Sequence, residues 1–178
     1  MKKLLVAFVA MAIAVASHGA QISWSMSDVN NPAGSGLMPA GGTGAAYLFN
    51  ADVYTADQVV AALKDGTLNS LTKVGNVATV DEEDAGVLAA ARLNDSNLEP
   101  STTYNFFALV VDNASNPQKY FTTQTIEVKT KGSGTTSALF GSQASASSNW
   151  SPVAVPEPTT VALLALGLAA LGLKRKVA

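Results

Sequence analysis

The chain has 178 residues, no Cys, one His and a formal net charge of −2, and only 13% of its residues are charged, about half the ~25% usual in globular proteins. The charge is unevenly placed: residues 1–20 carry two lysines, residues 151–178 carry three basic groups against one acidic, and residues 21–150 carry 6 basic against 12 acidic. An acidic middle between two basic, apolar ends excludes a basic nucleic-acid binder and argues against a plain cytosolic enzyme.

Lys2 and Lys3 lead into an unbroken apolar run from Leu4 to Ala16. This is the basic n-region and apolar h-region of a signal peptide, too short for an ordinary spanning helix of ~20 residues. Residues 1–20 are therefore expected to form a signal peptide that engages the export translocon and signal peptidase. Ala14-Val15-Ala16 fits the small-x-small cleavage pattern directly. A cut after Ala20 puts His18 at the −3 position, but it lets the folded domain begin at Gln21 and is preferred on that ground.

The next elements belong to a domain expected over residues 21–131. Ile22, Trp24 and Met26 alternate with Ser23, Ser25 and Ser27, the period-2 pattern of a half-buried strand. A short apolar strand is expected over Ala45–Phe49. Thr55-Ala-Asp-Gln58 has the form of a capping box, with Val59, Val60 and Leu63 at helical spacing, Lys64 in the last turn and Gly66 beyond it. Leu68–Val80 has room for one or two strands through Leu71, Val74 and Val77. A second helix is expected from Glu82 to Leu93, with Val87, Leu88 and Ala91 inward. Tyr104–Val111 is nearly continuous, aromatic and β-branched, as in a central strand. After the turn residues Asp112–Pro117, Lys119–Thr130 completes a hairpin whose one face is partly solvated. Residues 132–154 are rich in Gly and Ser and suit a linker, although Ala138-Leu-Phe140 within them can form a last short strand. The expected fold class is mainly β with two short helices (α+β), an antiparallel sheet or sandwich.

Chemistry is sparse. Without Cys, and with His18 in or beside the signal peptide, Ser-His-Asp and Cys-His catalysis, His-ligated zinc, thiol redox chemistry and a disulfide framework have no residues to carry them. No catalytic residue, metal ligand or cofactor is assigned. Gly41-Gly-Thr-Gly44 lacks the Lys-Ser/Thr of a phosphate loop. Asp81-Glu-Glu-Asp84 is either a calcium site or, preferred here, the acidic first turn of the second helix. Trp24, Tyr47, Phe49, Tyr104, Phe106, Phe107, Tyr120 and Phe121 are expected mainly in the core, and an exposed pair would favour carbohydrate binding. A hydrolase would need two carboxylates facing each other across a cleft.

The C-terminal stretch runs Val155, Pro156-Glu157-Pro158, an uncharged segment Thr159–Leu173, then Lys174-Arg175-Lys176. As a helix those 15 uncharged residues span roughly 22 Å. They cross a ~30 Å hydrocarbon core only with flanking residues or local thinning. The basic triplet stops the helix on the cytoplasmic side, which leaves the middle domain outside. Residues 155–178 resemble the PEP-CTERM sorting signal found on exported proteins of Gram-negative-type bacteria. The resemblance implies recognition by an exosortase, a membrane-embedded cysteine transpeptidase, and processing near Pro156, Glu157 and Pro158 as recognition residues. It also implies an inner-membrane-anchored precursor delivered to the cell envelope, cell surface or extracellular matrix, where exopolysaccharide is a candidate contact. The expected function is thus non-enzymatic, structural or adhesive. A carbohydrate- or calcium-binding module and a carboxylate-dependent hydrolase stand as alternatives.

Overall fold

The computed structural model describes residues 19–34 and 36–153. Residues 1–18 of the expected signal peptide, and the expected C-terminal helix with its flanking motif, lie outside the described residues, whereas Ala20, the last residue of that expected peptide, already belongs to the first strand. What is described is mainly β: β1 (Ala20–Ser27), β2 (Ala45–Asn50), β3 (Val74–Val80), β4 (Leu88–Asp95), β5 (Thr103–Val111), β6 (Lys119–Thr122), β7 (Ile126–Lys129), β8 (Thr135–Ser142) and β9 (Ser151–Pro152). Two helices, α1 (Ala56–Lys64) and the single turn α2 (Ala144–Ser147), and a 3₁₀ turn at Leu68–Ser70 complete it. The strands form one sheet in the order β8-β1-β4-β3-β2-β5-β6-β9, with β7 also paired to β5. The sheet is mixed: β1 and β8 run parallel and the other pairs antiparallel.

The alternation in β1 does what its serines predict. Ala20, Ile22, Trp24 and Met26 are buried while Gln21 and the serines are half-buried on the other side. Residues of the other strands, among them the central strands β2 and β5 that are buried on both faces, line the same concave face. There Leu48, Val80, Leu88, Phe106, Val110, Phe121 and Phe140 join β1 in a single core, capped at one edge by Ile126 and Val128. The sheet curls until β7 and β8 approach each other. On the convex face Phe49, Phe107, Leu109 and Val111 form a second cluster, covered by Val59 and Leu63 of α1.

Helix α1 starts where its capping box places it. The Thr55 hydroxyl accepts from the Gln58 N–H (3.3 Å), and the Gln58 side chain accepts from the Thr55 N–H (2.9 Å). It ends at Asp65, followed by Gly66 at φ +70°, a conformation that glycine adopts at little cost. Thr55→Ala removes the cap and is expected to cost about 1 kcal/mol, read as a lower urea midpoint with unchanged slope.

Three expectations are corrected. Glu82–Leu93 is not a helix: Asp81–Val87 is a turn, and Leu88–Asp95 is β4, paired to β1 on one side and β3 on the other. Its Leu-Ala-Ala-Ala-Arg-Leu sequence favours helix, but two waiting strand edges override that preference. Lys119–Thr130 is two strands, not one. Between the pairs Leu109↔Thr122 and Phe106↔Ile126, four steps along this segment oppose three along β5. The extra residue is a bulge that flips the phase, so Phe121 and Ile126 both face the core. Thr123 stabilises it by donating its N–H to Ala108 O (2.9 Å) and accepting the Ala108 N–H on its hydroxyl (2.9 Å). Finally, residues 132–153 are not a linker. β8 buries Thr136, Ala138 and Phe140 beside β1. Beyond α2, Trp150 packs edge-on against Phe121 (centroids 4.8 Å apart) and donates its indole N–H to Asn30 O (3.1 Å).

Candidate functional site

The acidic run Asp81–Asp84 is a tight turn. The Asp81 carboxylate accepts the N–H groups of Glu83 (2.8 Å) and Asp84 (3.0 Å), which hold it below the ordinary aspartate range. Asp81 thus caps a turn between two strands rather than a helix. Among the described residues no three His, Asp or Glu side chains are placed to hold a metal ion. Gly41–Gly44 forms the loop into β2, and the Gly41 N–H donates to Asp81 O (2.7 Å).

Trp24, Phe49, Phe106, Phe107 and Phe121 are buried, as expected of core aromatics. The three tyrosines among the eight are half-buried. Tyr104 accepts the Glu99 N–H on its hydroxyl (2.8 Å). Tyr47 lies on the convex face with the Lys73 ammonium 5.7 Å from its ring centroid. Burial pushes the Tyr47 phenol up and draws Lys73 down. Lys73 also donates to Leu68 O (3.2 Å), which accounts for it as a clamp on the 3₁₀ turn.

Tyr120 is placed differently. It lines a cleft of ≈ 360 Å³ between α1, β6 and the α2–β9 segment, together with Asp57, Thr122, Asn149 and Ser151. Lys64 sits 5.6 Å from its ring centroid. An aromatic ring surrounded by a carboxylate, an amide and hydroxyls can take a hydroxyl-rich ligand by stacking and hydrogen bonds. Asp57 is the single acidic residue lining the cleft, so a two-carboxylate hydrolysis of the glycosidase kind lacks its second acid there. The sequence pattern put Tyr120 among the expected core aromatics and gave no sign of the cleft; the ring is half-buried instead. The walls of the cleft come from a helix and from the stretch taken for a linker, and no local pattern joins them.

The residues expected to carry sorting, Pro156, Glu157 and Pro158 with Lys174, Arg175 and Lys176, lie outside the described residues. No helix among the described residues is long and apolar enough to cross a membrane. The last described strand ends at Pro152, so three residues separate it from Pro156. At ~3.3–3.6 Å per residue the four steps from Pro152 to Pro156 span no more than about 14 Å even when extended. The stretch of chain between the described domain and the motif is therefore short.

No curated protein and no solved structure matches the chain. Residues 154–176 match the family model of the PEP-CTERM protein-sorting motif. The chain thus carries a PEP-CTERM sorting motif, which implies recognition by an exosortase and an exported, membrane-anchored precursor processed to the cell surface.

Proposed function

We propose that the chain is a non-enzymatic structural or adhesive protein, displayed on the cell surface or in the extracellular matrix after an exosortase-like enzyme acts near Pro156-Glu157-Pro158. The observation that carries this reading is the sorting motif at residues 154–176, next to a β domain that ends at Pro152. The residue before a proline is disfavoured in helical backbone, so the Glu157-Pro158 sequence favours an extended segment for a processing enzyme. The short connection leaves the domain beside whatever the processed end is joined to. Lys174–Lys176 keep the far end of the precursor on the cytoplasmic side. Replacing Pro156, Glu157 and Pro158 together by Ala is expected to leave the C-terminal segment on the chain and hold the protein in the inner membrane. Intact-mass measurement and fractionation in the native host read both effects. An unchanged mature mass and location would overturn the reading.

The Tyr120 cleft supports a second reading, a carbohydrate contact. On this reading the protein is retained on an exopolysaccharide column, and Tyr120→Ala weakens that retention about fivefold or more, since truncating a stacked aromatic anchor costs more than about 1 kcal/mol. Equal retention of wild type and variant would exclude the cleft as a saccharide site.

A further inference from the structure

We infer that the signal peptide is removed after Ala16, so that the exported protein begins at Ser17, not at Gln21. This rests on the export reading above. The structural ground is the start of β1. Ala20 is 3% exposed and stands opposite Asp95. Its N–H donates to Leu98 O at 2.8 Å. Leu98 is itself 1% exposed and donates its N–H to Asp95 O (3.2 Å). Ala20 therefore pins the turn that seats Leu98 in the core.

Gly19 is equally part of the fold. A Cβ at this position would overlap the Asp95 carbonyl oxygen and come within 2.7 Å of the Ser96 Cα. Backbone lies directly on backbone there, which requires glycine. Gly19 and Ala20 also share a cleft with Asn94, Pro100, Gly132 and Gly134, so three chain segments converge on them.

A cut after Ala20 would delete both residues. The mature domain would then begin inside its own first strand, at Gln21, which stands between Asn94 of β4 and Thr135 of β8. It would also require signal peptidase to take His18 at −3, where small residues are the rule. A cut after Gly19 meets the size rule through Ser17 but strips the backbone contact and puts an ammonium group at buried Ala20, an unfavourable place for charge. Cleavage after Ala16 satisfies both requirements: Ala14 and Ala16 are small, and everything from Gly19 onward is retained. His18, the single histidine of the chain, then stays in the exported protein.

The test is expression of the full chain in a Gram-negative-type host, followed by N-terminal mass spectrometry of the denatured exported product, a readout that does not depend on folding. The expected first residue is Ser17. Ala16→Arg is expected to abolish that terminus, and Ala20→Arg to leave it in place. A first residue of Ala20 or Gln21, or sensitivity to Ala20→Arg instead of Ala16→Arg, would overturn the inference while leaving the export reading intact. An uncut chain confined to the cytoplasm would overturn the export reading itself.

Discussion

Trp24→Ala is expected to destabilise the domain by about 3–5 kcal/mol, a large share of the roughly 5–15 kcal/mol that holds a domain of ordinary stability together. Trp24 is 2% exposed at the centre of β1, flanked by β4 at Ala90 and β8 at Ala138. Its ring meets Phe140 edge-on with centroids 6.1 Å apart. The alanine variant thus leaves a cavity at the place where β8, paired in parallel, joins the antiparallel remainder of the sheet. It also leaves the Asn76 carbonyl without the indole N–H, which reaches it at 3.0 Å. The two losses separate in Trp24→Phe, which keeps most of the ring volume but not the donor. That variant is expected to cost about 1–2 kcal/mol. Urea unfolding followed by far-UV circular dichroism gives both values. A cost below 1 kcal/mol for Trp24→Ala would mean that β8 is not packed on β1 as described.

Where local pattern and tertiary demand agreed, the elements were legible. Serines on one phase of β1 exposed the buried phase, and the Thr55–Gln58 capping box marked the start of α1 to the residue. β4 was hidden because alanines occupy both of its phases, so Leu88 and Ala90 inward and Ala89 and Ala91 outward leave no hydropathy contrast. The bulge at Thr123–Thr125 was hidden because every second residue on either side of it is plausible as an outward one. β8 was legible only in part: Ala138-Leu-Phe140 reads as a short strand and lies within it, but its Gly and Ser neighbours give the surrounding stretch the composition of a stalk. The contrast between the two candidate sites has the same cause. A sorting motif is a linear pattern, read by an enzyme from an extended segment, and it is visible in sequence. The Tyr120 cleft is assembled from α1, β6 and the α2–β9 segment, and only the fold brings those together.

Asp95→Ala should cost about 3 kcal/mol, more than its place at a strand end suggests. Asp95 is 5% exposed, and both of its carboxylate oxygens accept hydrogen bonds. One oxygen accepts the Gly75 N–H at 2.7 Å, and the other accepts both the backbone and side-chain N–H groups of Asn97, at 2.9 and 3.0 Å. Hydrogen bonds to a charged acceptor contribute about 1.5–3 kcal/mol and are not additive. Their removal strands the Gly75 N–H at a point where β3 is irregular. Gly75 has φ +65°, and two steps on β2 oppose four on β3 between the pairs Ala46↔Ala78 and Leu48↔Val74. Asp95 therefore supplies the acceptor that the strand ladder fails to provide. Gly75→Ala attacks the same point from the other side, because φ is positive and the new methyl would lie 3.1 Å from Ile22 Cγ2. If the two residues act through one bond, the double variant costs less than the sum of the singles by about 1 kcal/mol or more. Asp95→Asn, which keeps one acceptor oxygen, should lose about half as much as Asp95→Ala. Strictly additive costs in the double-mutant cycle would show that Asp95 stabilises the 95–98 turn alone, with no part in holding the irregular stretch of β3.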